Sequence, residues 1–227
     1  MPLRLTAAMV VSLALLPPAT GAEPPHYAFS PKPPGEIVQS ALFYPTGEGM
    51  QSQWRAVASR THLEGSAYQW YLSIYSIDYD TATYHRVYQS PRDGGPALLV
   101  TRVRPSGLWF PLQTLHIVGE GQFEEPGVEN LVVQEHHAAA DCGSASVTVF
   151  GYDWTKMRVR AFVTAANPCA LQATVEHQRG GDAIRLVGPY YAPGAALCCP
   201  TRPRVSAYLR FKDDRWVEAP SYFPLHT

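Results

Sequence analysis

SVTVFGY (Ser146–Tyr152), DWTK (Asp153–Lys156) and MRVRAFVT (Met157–Thr164) follow one another without a break. The two flanking runs are rich in Val and Phe, residues that fit a pleated surface, and the four residues between them hold an acid of the kind that starts turns. Together they read as two strands folded back on each other. The same pattern recurs on both sides. SIYSIDYDTATYHRVYQSP (Ser73–Pro91) and SAYLRFKDDRWVEAPSYFP (Ser206–Pro224) also run strand, acidic turn, strand, with an aromatic before the turn and a proline after it. A further strand precedes each hairpin, at Trp54–Ala58, Leu131–Gln134 and Ile184–Val187. Anchored on Asp80, Asp153 and Asp213, the units are unevenly spaced because the Gly/Pro-bearing segment Arg92–Pro111 stretches the first interval.

The expected fold is therefore all-β. About three antiparallel hairpin units, near residues 36–91, 114–168 and 172–224, form an open or irregular propeller-like, barrel or sandwich arrangement within a single domain, 36–227. Three units are too few for an ordinary closed propeller. Other expected strands are Gln69–Ile77, Thr83–Gln89, Ala183–Val187, Val205–Phe211 and Arg215–Glu218, and no segment sustains a helical period. Gly180-Gly181-Asp182 reads as a hairpin turn. It is not a phosphate loop, since no Lys-Ser/Thr and helix follow it.

Composition agrees with a folded domain: 46% of the residues are hydrophobic, 16% are charged, and 21 Pro with 17 Gly imply many short elements. The formal net charge of −1 leaves no overall electrostatic footprint for nucleic acid, so no nucleic-acid partner is expected. The first residues, MPLRLTAAMVVSLALLPPATGA, carry Arg4, an apolar run from Leu5 to Leu16, a Pro17-Pro18 break and small residues at 20–22. That is the pattern of a signal peptide over residues 1–22. The run is too short to span a bilayer, and no cysteine lies near the cleavage point to carry a lipid. A soluble, periplasmic or secreted product with no transmembrane segment is expected. Residues 23–35, with five prolines, should run extended as a tether or an edge-covering arm.

Export changes how the four cysteines are read, because cysteines in an oxidising compartment usually pair. Carrying the hairpin register outward from Tyr152 and Met157 brings Cys142 and Cys169 almost opposite each other at its open end, within reach of a disulfide. The loop so closed, of about 26 residues, would stabilise by roughly 3 kcal/mol on the chain-entropy account. Cys198 and Cys199 are adjacent. They form a vicinal disulfide, remain a reactive pair, or join another chain.

Two stretches resemble known families. FEEPGVENLVV (Phe123–Val133) resembles the loop and strand of FG-GAP or VCBS repeats, whose calcium loop precedes Asp-Leu-Val-Val. Pro126 and Asn130 stand where that pattern has aspartates, which counts against calcium. Residues Tyr190–Pro200, YYAPGAALCCP, followed by AYLRF (Ala207–Phe211) and RWV (Arg215–Val217), resemble the C-terminal part of the LppP/LprE family of bacterial envelope lipoproteins. With the first stretch, the resemblance spans about 100 residues and implies an envelope protein, without supplying catalytic residues. The lipid-bearing cysteine of that family is missing here, so anchorage does not carry over.

Few residues offer chemistry. QEHHAAADC (Gln134–Cys142) places His136, His137 and Asp141 together, a set able to ligate a transition metal if the segment is a loop. Neighbouring strand residues point to opposite faces, and no second ligand cluster lies at a useful spacing, which counts against a metal. A solvated loop before the hairpin is the simpler reading. No Gly-x-Ser-x-Gly elbow is present, and paired acids such as Glu124-Glu125 lie side by side rather than across a cleft. Alternation in the first unit puts Trp70, Leu72 and Ile74 on one face and Tyr71, Ser73 and Tyr75 on the other. Exposed, such aromatics stack on sugars or form a protein interface. The expectation is a non-catalytic envelope or extracellular binding module whose partner is an envelope protein or a glycan. The competing reading is a secreted metal-dependent hydrolase using the His136/His137/Asp141 loop.

Overall fold

A computed structural model of the chain describes residues 27–46, 53–63, 68–90, 112–137, 144–167, 171–178, 181–190, 192 and 200–219. Thirteen strands and no helix occur among them. The first sheet holds β1 (Ala28–Ser30), β2 (Glu36–Phe43), β3 (Trp54–His62), β4 (Tyr68–Asp78) and β5 (Thr83–Ser90). The second holds β6 (Leu112–Gly121), β7 (Asn130–His137), β8 (Ser144–Asp153) and β9 (Arg158–Asn167). The third holds β10 (Gln172–Glu176), β11 (Ala183–Tyr190), β12 (Arg202–Lys212) and β13 (Arg215–Ala219). Each sheet contains a four-stranded antiparallel meander, β2–β5, β6–β9 or β10–β13. In all three the acidic turn joins the third strand to the fourth. The all-β class and the three hairpin-based units expected from the sequence are present.

The deciding hairpin is shifted from its expected register. Tyr152 pairs with Val159, not with Met157, because Lys156 N–H bonds Asp153 Oδ1 at 3.1 Å and Met157 closes the turn in the left-handed region at φ 48°. The fourth strand therefore starts at Arg158. A bulge between Val147 and Thr148 shifts the register again before the outermost pair, Ala145 with Asn167.

The sheets pack face to face. One apolar layer joins Phe43, Trp54, Ala56, Ala58, Leu72 and Ile74 of the first sheet to Leu115, Ile117, Leu131, Val133 and Phe150 of the second. Another joins Val132, Val147, Val149 and Ala165 on the opposite face of the second sheet to Ala173, Ile184, Leu186, Ala207 and Leu209 of the third. The second sheet is thus covered on both faces, and for that reason Leu131-Val132-Val133 is a continuous apolar run where a half-exposed antiparallel strand would alternate. Each such side chain, fully buried, contributes about 1.5–3 kcal/mol.

Polar clasps reinforce the joints. Gln39 on β2 donates through Nε2 to Ile117 O at 2.6 Å and accepts Ile117 N–H through Oε1 at 2.9 Å. Gln134 on β7 repeats the device one sheet further on: Nε2 donates to Leu171 O, and Oε1 accepts Ala173 N–H at 3.1 Å. At both joints a side-chain amide takes the part of a strand residue and satisfies a backbone donor and acceptor that would otherwise be buried unpaired.

The two ends of the stack differ. On the outer face of the first sheet, β1 pairs in parallel with β5, and Phe29 lies between Tyr75 and Tyr84 at ring-centroid distances of 4.7 and 5.4 Å. This part of the proline-rich segment thus covers both the sheet edge and an apolar cluster that includes Val57. Gly35 takes the chain from there into β2 at φ +67°, where a Cβ would stand 2.1 Å from Arg60 O, so only glycine fits. The outer face of the third sheet carries mostly polar and charged side chains.

Candidate functional site

Residues 122–129 form the loop between β6 and β7, and the loop is tied to the sheets on either side. Toward the first sheet, Tyr44 N–H bonds Glu129 Oε2 at 2.9 Å while Glu129 N–H bonds Tyr44 O at 3.0 Å. Toward the third, Gln122 N–H bonds Asp182 Oδ2 at 2.7 Å and Asp182 N–H bonds Gln122 O at 3.3 Å. Inside the loop, Gln122 Oε1 accepts Gly127 N–H at 2.9 Å and Glu125 O accepts Val128 N–H at 3.2 Å. Glu124 Oε2 pairs with the Arg160 guanidinium, whose pKa burial lowers. An internal cation therefore balances the loop's inner carboxylate. Asn130, 1% exposed, has no hydrogen-bond partner at either amide atom among the described residues.

Where this loop meets the β10–β11 turn, a cleft of about 590 Å³ opens between the second and third sheets. Its walls include Gln122, Glu125, His177, Gln178 and Asp182, with Phe123 behind them, edge-on to Trp216 at 5.2 Å. Asp182 Oδ2 holds His177 Nδ1 at 3.0 Å, so Nε2 is the ring nitrogen left for a ligand. His177 is largely exposed and Asp182 largely covered, an arrangement in which the acid orients the imidazole. Among the described residues lining the cleft there is no Ser, Thr, Cys or Lys. It offers amide, imidazole and carboxylate hydrogen-bonding groups beside the buried ring of Phe123.

The histidine pair flagged in the sequence is positioned differently from the loop reading. Gln134–His137 belongs to β7, and Gln134, Glu135 and His137 are buried. For residues 135–137 this corrects the expectation of a solvated loop; residues 138–142 lie outside the described residues. The segment is polar, yet it continues the central sheet, where Gln134 is used as a clasp and Glu135 and His137 meet at 3.4 Å on the side facing the first sheet. His136 points to the other face, beside the β6 residue His116. The two imidazoles do not converge, and Asp141 lies outside the described residues. Among the described residues no three His, Cys, Asp or Glu side chains are grouped to hold a metal ion.

Burial, followed by the charges of His137 and His116, holds the pKa of His136 below the ordinary value of 6.5. The unfolded chain then binds the proton more readily, so this residue's contribution is at its full value above pH 6.5 and is lost as the pH falls from there through the lower folded value. Urea titrations at stepped pH should show His136→Gln flattening the acid-side loss of stability.

Of the flagged aromatics, Trp70 and Tyr75 are buried, at 6% and 0% exposure, and Tyr71 is half-buried. Trp70 belongs to the layer against the second sheet, with the Arg60 guanidinium 5.7 Å from its ring. Tyr75 lies beneath Phe29, and burial raises its pKa. The three therefore do not make an exposed aromatic row. Cys142, Cys169, Cys198, Cys199 and the 1–22 segment lie outside the described residues.

No family model, curated protein or solved structure matches the chain. His177 and Asp182 carry no signal in the linear sequence beyond a Gly-Gly-Asp turn. They become a site only because closure of β10 on β11 sets the acid against the imidazole and against the neighbouring sheet. No helix among the described residues is long and apolar enough to cross a membrane.

Proposed function

We propose that this chain is a non-catalytic, exported binding module of the bacterial envelope, and that its ligand enters the cleft between the Gln122–Pro126 loop and the His177–Asp182 turn. The observation that carries this reading is the cleft's chemistry: an oriented imidazole, carboxylates and amides converge beside Phe123. Sugar hydroxyls suit such a surface, since each can donate to a carboxylate or amide oxygen and accept from an amide N–H. The signal-peptide pattern and the LppP/LprE resemblance of residues 190–217 support export and the envelope. A Cys142–Cys169 bridge belongs to the same reading, as does a loop held without calcium by Arg160 and Gln122.

The test is co-sedimentation of the mature chain with insoluble peptidoglycan. The wild type should pellet and release no soluble fragments, while His177→Ala and Asp182→Ala, folded by circular dichroism, should bind about tenfold more weakly, as expected when one or two hydrogen bonds at the cleft rim are lost. Wild-type binding unaffected by either substitution overturns the cleft assignment. Release of fragments overturns the non-catalytic one.

A further inference from the structure

The outer face of the third sheet shows what this end of the stack meets. Along β12, Ala207 and Leu209 are buried against the second sheet, so Arg204, Ser206, Tyr208, Arg210 and Lys212 face outward by the strand's alternation. Register adds Arg215 beside Lys212, and Arg185 beside Tyr208. Arg204, Arg210, Lys212 and Arg215 are exposed. Arg185 pairs with Glu176 at 3.4 Å, and Arg210 donates to the neutral Gln178. Arg204, Lys212 and Arg215 have no ion pair among the described residues, and none reaches the turn acids Asp213 and Asp214. Even with those acids counted, the face is cationic in a chain whose net charge is −1.

We propose that this face docks on an anionic lipid bilayer. A sheet face is broad and has no groove to enclose a polymer strand, and Arg204 to Lys212 spread their charges over about 27 Å of one strand. Among the described residues the outward aromatics are Tyr208 and, opposite Arg202 at the far end of β11, Tyr190; both are half-buried, which leaves no series of exposed rings for stacked bases. A planar array of phosphates matches an array of unpaired guanidinium and ammonium groups, and each cation brought near such a surface adds to the attraction. Val187 and Val217, half-buried on the same face, give it modest apolar character without an inserting wedge. Attachment is thus electrostatic, reversible and screened by salt.

The experiment is sedimentation of the mature chain with vesicles of equal parts phosphatidylglycerol and phosphatidylcholine, and with phosphatidylcholine alone. Binding is expected only with the anionic vesicles and should be lost at high salt. The triple variant Arg204→Glu/Arg210→Glu/Lys212→Glu should weaken it by at least about a hundredfold. The milder Arg204→Gln/Lys212→Gln pair should weaken it by about tenfold and serves where the reversals fail to fold. Asp182→Ala should leave vesicle binding unchanged, which separates this face from the cleft. Equal binding to both vesicle types, wild-type affinity in both variants, or capture by soluble polyphosphate without vesicle binding overturns the proposal, the last in favour of a polymeric anion.

Discussion

Phe150→Ala should lower the unfolding free energy by about 3–5 kcal/mol, the range for deleting a fully buried aromatic side chain. Phe150 is 0% exposed on the central sheet and projects into the layer shared with the first, where its ring meets Tyr88 edge-on at 5.5 Å. Removing the ring opens a cavity between two sheets whose backbones are fixed by their own ladders, so the site cannot easily collapse around it. Denaturant titration should show the loss as a lower midpoint at nearly unchanged slope. Trp154→Ala, at a residue 48% exposed in the adjoining turn, is the control and should shift the midpoint far less.

Gln134→Ala should cost about 2–4 kcal/mol, since it strands two buried backbone groups, Leu171 O and Ala173 N–H, each worth about 1–3 kcal/mol when left unsatisfied. Gln134→Glu is the sharper experiment. A carboxylate still accepts from Ala173, but it sets oxygen against oxygen at Leu171 and places a charge among buried groups, so it should destabilise at least as much as alanine. Gln39→Ala, at the half-buried equivalent between the first and second sheets, should lose less because water can reach the freed groups. Hydrogen exchange would localise the Gln134 effect to the second and third sheets. If Gln134→Glu matched the wild type in urea, the two-point clasp would not be holding those sheets together.

The hairpins were legible in the sequence because each rests on local facts: β-prone runs flanking acidic turn residues. The strands expected at Gln69–Ile77, Thr83–Gln89 and Val205–Phe211 lie inside observed strands that extend at most three residues further at either end. Register was less legible. Met157 adopting a left-handed conformation, and one bulge, moved pairings that turn length alone left open. Burial of polar residues was not legible at all. Glu135 and His137 read as part of a solvated loop, yet they share a buried face between two sheets and meet there at 3.4 Å.

Sequence alone determined that this chain makes ribbons and where those ribbons turn, since both follow from side-chain preferences acting over a few residues. Stacking decided the rest. It gave the middle sheet two interior faces, put Tyr75 under a strand from the proline-rich segment, and turned His177 and Asp182 into one wall of a cleft. Those outcomes depend on contacts between residues far apart in the chain, and a linear pattern carries no record of which face will meet which.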